Sequence, residues 1–263
     1  MVGIVNVTPD SFSDGGRYVG EDAAVAHGER LIAEGADGLD IGGESTRPGA
    51  RPVDADDEIA RVVPVIRRLA AAFPEVWLSV DTSKARVAAP ALDAGARVVN
   101  DVSAWRDPDM AATVAGRGAG TVLMHMRGEP RTMQTDVRYD DLIGEVVAAL
   151  QEAAERAMTA GLPASAVWLD PGIGFGKAAA DNPRLFHAIP RLRALGHPVF
   201  VGASRKRFIG DLTGVAEPER RVFGSVGAAI AAVGLGADAV RVHDVAATRE
   251  ALAVFQAIAQ ARP

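Results

Sequence analysis

The sequence predicts an α/β protein, a single-domain (β/α)8 TIM barrel spanning residues 1–263. Three observations carry that expectation. A unit made of a short apolar run, a polar residue, a glycine-bearing loop and an amphipathic stretch recurs eight times. The apolar runs are mostly valine-rich and lack alternation, which is how strands of a parallel sheet covered on both faces read. No linker or low-complexity segment interrupts the series, and 263 residues match the roughly 250 that such a barrel occupies as one unit. The rival architecture is an open doubly wound sheet. It would place a ligand at a switch point, whereas a barrel gathers every strand's C-terminal end onto one rim.

The first strand is expected at 3–7, and its helix at 21–34 closes on Gly35, where a left-handed cap needs no Cβ. The second strand, 38–41, grows out of the joint Gly35-Ala36-Asp37-Gly38, which looks like a copy of Gly236-Ala237-Asp238-Ala239 ahead of the last strand. Its helix, 56–73, contains Pro64, so a kink or a later start is expected there. The third strand, 76–80, leads to a helix at 85–94 that carries Pro90 and stops before Gly95. The fourth, 98–100, leads to 109–115, entered through Asp107-Pro108 and left at Gly116. The fifth, 121–124, precedes the helix 140–160, closed by Gly161. The sixth, 167–169, precedes 183–195, entered through Asn182-Pro183, interrupted by Pro190 and closed by Gly196. The seventh, 199–201, precedes 218–233, entered through Glu217-Pro218 and closed by Gly234. The eighth, 239–242, is followed by a helix at 245–259.

With 48% hydrophobic and 24% charged residues the chain can bury a large core, which excludes a disordered or coiled-coil protein. The absence of cysteine excludes disulfides, thiolate catalysis and cysteine-ligated metals, and it favours a cytoplasmic location. The most apolar stretch, 226–235, is too short and glycine-rich to span a membrane. A net charge of −6 disfavours a general nucleic-acid binder while leaving room for a local anion pocket.

The residues at the strand ends are Asn6, Asp40 to Glu44, Asp81, Asn100 with Asp101, His125, Asp170, Ser204, and Arg241 with His243. Singly, such residues cap helices or bond loops. Together, on the face where barrels do chemistry, they can bind a hydrogen-bonding ring, a metal or an anion. Four stretches are the most informative. Residues 6–16, from Asn6 to Gly16, offer hydroxyls, carboxylates and flexible glycines after the first strand, as a mobile lid would. Residues 44–49, Glu-Ser-Thr-Arg-Pro-Gly, place Arg47 in a stiffened loop as a candidate phosphate clamp. Residues 202–208 set Ser204 ahead of Arg205, Lys206 and Arg207, which joins a helix start to fixed positive charge. Arg241 and His243 alternate on the last strand and are expected to share one side, facing an anion. Other motifs fail. Residues 172–178 imitate a P-loop with the wrong spacing and Ala178 in place of Ser/Thr, and the glycines at 234–236 precede a strand when a dinucleotide fingerprint should follow one. The five histidines lack zinc-ligand spacing, and no Gly-x-Ser-x-Gly elbow exists.

These stretches, in this order, resemble the dihydropteroate synthase family of pterin-binding barrels, and the resemblance covers essentially the whole chain. It rests most on 6–16, 44–49, 202–206 and Asp170-Pro171-Gly172-Ile173-Gly174-Phe175-Gly176-Lys177, with Met124-His125-Met126-Arg127-Gly128 and Thr132-Met133-Gln134 as the fifth loop. The resemblance implies transfer of the pterin-methyl group of 6-hydroxymethyl-7,8-dihydropterin pyrophosphate to p-aminobenzoate. It implies a pterin pocket of Asp81, Asn100, Asp170 and Lys206, with Lys206 paired to Asp170. Pyrophosphate would meet Asn6, Arg47, Arg241 and His243, with Mg²⁺ held at Asn6. Phe12, Thr46, Pro48, Phe175, Ser204, Lys206 and Arg207 would frame p-aminobenzoate, and sulfonamides are expected to compete there.

A neutral arylamine needs no strong base, so the hard step is departure of pyrophosphate. The expected mechanism is dissociative, with Mg²⁺, Arg47, Lys206, Arg241 and His243 stabilising the leaving group and Asp14 steadying the loop or the pterin-methyl cation. Two departures from the family pattern stand out. Relatives usually carry a hairpin before the first strand, so the barrel floor is expected to be less covered. Arg207 replaces a serine beside the p-aminobenzoate carboxylate, so that contact falls to backbone or guanidinium. A methyltetrahydrofolate-binding methyltransferase and a catalytically silent pterin-binding paralogue remain the alternatives, and a homodimer is implied by the family likeness alone.

Overall fold

In a computed structural model, which describes residues 1–8, 17–46, 49–133, 135 and 137–261, eight parallel strands alternate with helices. The strands are β1 (Val2–Asn6), β2 (Gly38–Gly42), β3 (Trp77–Asp81), β4 (Val98–Asp101), β5 (Gly120–Met124), β6 (Val167–Asp170), β7 (Phe200–Val201) and β8 (Ala239–Val242). They hydrogen-bond in the order β6-β5-β4-β3-β2-β1-β8-β7. A single parallel bridge from Leu169 to Val199, with Leu169 N–H donating to the Pro198 carbonyl at 2.9 Å, joins the two ends. That join makes a barrel and excludes the open doubly wound sheet. It is held unevenly, since β1 and β2 share five register pairs whereas β1 with β8 and β7 with β8 share two each.

The helices are α1 (Arg17–Ala33), α2 (Ala55–Ala72), α3 (Ala85–Asp93), α4 (Met110–Ala115), α5 (Leu142–Thr159), α6 (Asp181–Leu185), α7 (Ala188–Arg193), α8 (Arg207–Thr213), α9 (Val222–Gly234) and α10 (Val245–Gln260). The prolines resolve differently from one another. Both α2 and α3 run on through Pro64 and Pro90, while the helix expected at 183–195 breaks into α6 and α7, the second restarting two residues before Pro190. Asn182-Pro183 is no entry, because α6 starts at Asp181 and Asn182 lies inside it. Pro108 precedes α4, which begins at Met110, and Asp107 instead accepts from the backbone N–H of Ala85 and Asp109. Pro218 opens a separate 3-10 turn, Pro218–Arg220, ahead of α9. Positive φ falls as expected on Gly35, Gly95, Gly161 and Gly196, but after α4 and α9 it falls on Gly118 and Gly236 instead of Gly116 and Gly234. The short helix α8 was hidden because 207–213 lacks a full amphipathic period.

Two apolar layers hold the barrel. The larger lies between strands and helices, with Val5, Leu39, Ile41, Val80, Val99, Leu123 and Leu169 facing Leu31, Val62, Ile66 and Leu150. A smaller one fills the barrel floor with Val2, Val122, Phe200 and Ala239, against which Trp77, Val98 and Trp168 pack half-buried. The floor is therefore plugged by indole rings. Gly38 makes this possible, because a Cβ there would lie 2.3 Å from the Trp77 ring. With the floor filled, the polar strand ends are confined to the opposite mouth.

Candidate active site

The central feature of the mouth is a buried charged cluster on β2, β3, β4 and β8. Asp40, wholly buried, accepts from Ser79 Oγ through Oδ1 and, through Oδ2, from Asn100 Nδ2 at 3.0 Å and Arg241 Nε at 2.5 Å. Arg241 Nη2 donates to Asp81 Oδ2 at 2.9 Å. Parallel register explains the convergence: Asp40 lies level with Ser79, and Asp81 level with Asn100, so alternate residues of neighbouring strands point into one interior. The sequence put Asp40 on the rim without a role, and Ser79 was not singled out. Neither has a local signature, since the signal is a cluster drawn from several strands.

Across the mouth, Asp170 ends β6 and accepts from Gly172 N–H at 2.7 Å. Gly202, the residue after β7, lies between Asp170 and Arg241: a Cβ there would be 3.8 Å from Asp170 Oδ2 and 3.9 Å from the Arg241 side chain. Lys206 does not form the expected direct ion pair with Asp170. Its ammonium donates to the Ile173 carbonyl and lies 3.9 Å from the centre of the Phe175 ring. Gly174, at φ +84°, allows this, since a Cβ there would lie 2.9 Å from Lys206 Cδ. Phe175 in turn packs on Val102, Met124, Met126 and Met133.

Burial dominates the electrostatics. It pushes Asp81 up to about 7, helped by repulsion from Asp40 and opposed by Arg241. It pushes Lys206 down to about 7, with Asp170 pulling the other way. Asp170 is also raised by burial, against the pull of Lys206. Burial opposes the charge of Arg241 too, but Asp40 and Asp81 outweigh it and raise its pKa. A lysine and an aspartate titrating together near neutrality mark a site where protonation is poised.

Within the four stretches, neighbouring described side chains turn to different partners. Arg241 spends donors on Asp40 and Asp81, while His243 turns elsewhere, its Nδ1 3.0 Å from Ser204 Oγ. Two buried carboxylates thus claim two of the guanidinium's donors, and the imidazole is held by Ser204. Ser204 also fails as a helix cap: α8 begins at Arg207, with Lys206 as its N-cap residue, and Ser204 Oγ accepts instead from the His243 backbone N–H at 3.2 Å. The three adjacent cations part company as well. Arg205 makes a two-point pair with Asp244, Lys206 enters the mouth, and the Arg207 side chain stands 91% exposed beside Asp211. This removes the Arg207 guanidinium from the pocket. Asp101 serves structure, accepting from Ser103 and Trp105 N–H across a turn with positive φ at Ala104 and Trp105.

Asn6 and His243 meet at a second feature, a cleft of about 390 Å³ lined also by Ile4, Ala23, Ala26, His27 and Arg30. His27 and Arg30 carried no earlier signal. Thr46 is half-buried at the start of the second loop. The neck of that loop is clipped by Lys84, which donates to Glu44, to the Val53 carbonyl at 2.9 Å and to Glu58 at 2.6 Å. Phe12, Asp14, Arg47, Pro48 and Gln134 lie outside the described residues.

A family profile described as pterin binding enzyme matches residues 2–243. The curated dihydropteroate synthase of Escherichia coli strain K12 is 42% identical over 262 residues, covering 100% of this chain and 92% of the relative. A dihydropteroate synthase of Xanthomonas albilineans solved with 4-aminobenzoic acid is 52% identical, with a TM-score of 0.93 over 99% of this chain and 93% of that one. The Yersinia pestis dihydropteroate synthase solved with a sulfonamide drug is 45% identical, with a TM-score of 0.93 over 99% and 94%.

Proposed function

The chain belongs to the pterin binding enzyme family, among relatives that are dihydropteroate synthases, and from that premise we propose that it joins 6-hydroxymethyl-7,8-dihydropterin pyrophosphate to p-aminobenzoate. The observation that carries this reading is the mouth itself: three carboxylates, an amide, a lysine and an arginine on six different strands or strand ends, converging above a plugged floor. A pterin offers ring N–H and amino donors along one edge and ring acceptors beside them. Asp81 and Asp170 accept the former, Asn100 serves both, and Lys206 donates to the latter.

Arg241 uses two of its five donors on carboxylates, which leaves three for the pyrophosphate oxygens. Asn6 and His243 share one cleft, and Arg47 is the further cation that the family resemblance gives to pyrophosphate. Among the described residues no cluster of three acidic or histidine side chains could hold a metal by itself. The neutral Asn6 carbonyl therefore suits Mg²⁺ only as one ligand beside pyrophosphate oxygens, where the ion would neutralise charge on the leaving group. The C–O bond breaks first, its electron pair passing to pyrophosphate under the cations. The amine of p-aminobenzoate then forms the C–N bond and sheds its proton to water. Phe175, Lys206, Thr46, Phe12 and Pro48 frame the arylamine, and Asp14 steadies the intermediate cation. With the guanidinium in solvent, the contribution of Arg207 to the carboxylate is its backbone N–H.

No described helix is long and apolar enough to cross a membrane, and the cysteine-free composition supports a cytoplasmic site. A homodimer is part of the same reading. It is supported by the outer face of α9 and α10, where Phe223 is 90% and Ile258 71% exposed, an arrangement a second copy would cover. Turnover with pterin pyrophosphate, p-aminobenzoate and Mg²⁺ tests the function. Pteroate plus pyrophosphate is expected, and binding of both substrates without product would replace the reading with a silent paralogue.

A further inference from the structure

The glycine-rich run after β6 is held from beneath by a residue to which the proposed reaction gives no task. Lys177 is 2% exposed, and its Nζ lies 2.8 Å from the Gly172 carbonyl, 2.9 Å from the His125 carbonyl, 3.0 Å from the Pro171 carbonyl and 2.9 Å from His125 Nδ1. Carbonyls only accept, so three of them call for three N–H donors, which an ammonium has and an amine lacks, and one of the three is shared with His125 Nδ1. An ammonium has no lone pair. His125 Nδ1 therefore cannot donate to it and must be bare, which leaves the ring proton on Nε2. Burial pushes the lysine well down from its ordinary value, with Lys206 and Arg127 adding to the push, and Asp170 pulls it back. Burial and the Lys177 charge together press His125 down to about 3, so the ring stays neutral.

The carbonyls that Lys177 binds are those that place the pocket wall. Gly172 N–H donates to Asp170, and the Gly172 carbonyl accepts from Phe175 N–H at 3.1 Å. Gly172 sits at φ +71°, where a Cβ would lie 1.9 Å from the His125 carbonyl oxygen, so the loops after β5 and β6 touch at the lysine. Phe175, one residue past Gly174, carries Lys206 on its ring. A second tie, Tyr139 Oη donating to the Gly176 carbonyl at 2.8 Å, holds the far end of the same run.

We propose that Lys177 is a positioning residue of the pterin subsite: by binding the His125, Pro171 and Gly172 carbonyls it sets the places of Asp170 and Phe175, and it holds His125 as a neutral ring protonated on Nε2. The inference rests on the pterin reading above. Two measurements test it. In ¹⁵N spectra of the wild-type protein, with His125 assigned by its loss in His125→Phe, the ring should show a bare Nδ1 and no titration between pH 5 and pH 8. An Nδ1–H tautomer, or titration near pH 6.5, would overturn it. In calorimetry with 6-hydroxymethylpterin, Lys177→Met should lose about tenfold or more in affinity, Lys177→Arg should recover part of it, and Tyr139→Phe, which keeps the lysine, should lose twofold to fivefold. Wild-type affinity in a folded Lys177→Met, or in Tyr139→Phe should Lys177→Met not fold, would reduce the lysine to a stability element. Failure of the wild-type protein itself to bind the pterin would sink the functional reading instead.

Discussion

Lys206 lies over Phe175 with its pKa drawn down to about 7, so its charge is lost within the working pH range. The ammonium donates to a pterin acceptor more strongly than the neutral amine does, so pterin affinity should fall as the pH rises from 7 to 9. Lys206→Arg, which cannot deprotonate there, should flatten that limb in a binding titration, even if its larger head lowers affinity throughout. Arg241 and Asp170 separate the two halves of the substrate. Arg241→Ala should cut turnover by about a hundredfold or more, the scale of one lost electrostatic stabiliser, and weaken pyrophosphate binding more than that of 6-hydroxymethylpterin, whose partner Asp81 loses a pair. Asp170→Asn should do the reverse, weakening the free pterin about tenfold. Calorimetry with the two separate ligands checks both, and matching losses for both ligands in either variant would contradict the division. The removal of Asp40 from view in the sequence has a physical reason: a buried Asp in an apolar strand reads as a flaw until Ser79, Asn100 and Arg241 are seen hydrogen-bonded to it from neighbouring strands.

At the scale of elements, the second loop depends on one ammonium. Lys84 binds Glu44 at one end of the loop, the Val53 carbonyl at the other, and buried Glu58 on α2. Burial opposes the lysine charge, yet Glu44 and Glu58 outweigh it and raise its pKa, while Glu58 is raised by its own burial. Glu58 Oε1 is the one buried side-chain polar atom without a hydrogen-bond partner among the described residues. Removing Lys84 therefore leaves a buried carboxylate with little compensation. Lys84→Met should cost about 3 kcal/mol of stability in urea unfolding. It should also weaken both p-aminobenzoate and a competing sulfonamide severalfold with pterin affinity kept, because Thr46, Arg47 and Pro48 ride between the clipped ends. Equal affinities in the variant would show the clip to be structural alone. The helical elements were legible where periodicity was long, as in α2, α5 and α10. They were misread at α6, α7 and α8, where short turns are set by contacts with neighbouring loops, such as Asn182 accepting from Gly174 N–H at 2.6 Å.

At the scale of the whole molecule, burying the site has a stability cost that depends on pH. Asp81 titrates near 4 in the unfolded chain and at about 7 in the folded one, so the folded protein holds that proton more tightly. This contribution is fully present below pH 4 and is lost as the pH rises through 7. Asn cannot ionise, so the Tm of Asp81→Asn relative to wild type should climb between pH 5 and pH 8, and a constant offset would contradict the raised pKa. The assembly prediction belongs here too. Sedimentation should find a dimer that Phe223→Glu with Ile258→Glu converts to a monomer, and a monomeric wild type would dismiss the α9–α10 face as an interface. The amino-acid sequence by itself determined the eight strands, their parallel order and the rim on which Asn6, Asp81, Asn100, Asp170, Lys206, Arg241 and His243 stand, because apolar runs and glycine punctuation are local properties. Only the tertiary structure decided that Arg241 is claimed by Asp40 and Asp81, that Ser204 serves His243, that Arg207 leaves the pocket and that Lys177 stitches two loops together. Those choices depend on which charges are buried side by side, and Asp40 and Arg241, 201 positions apart in the chain, become neighbours only when the barrel closes.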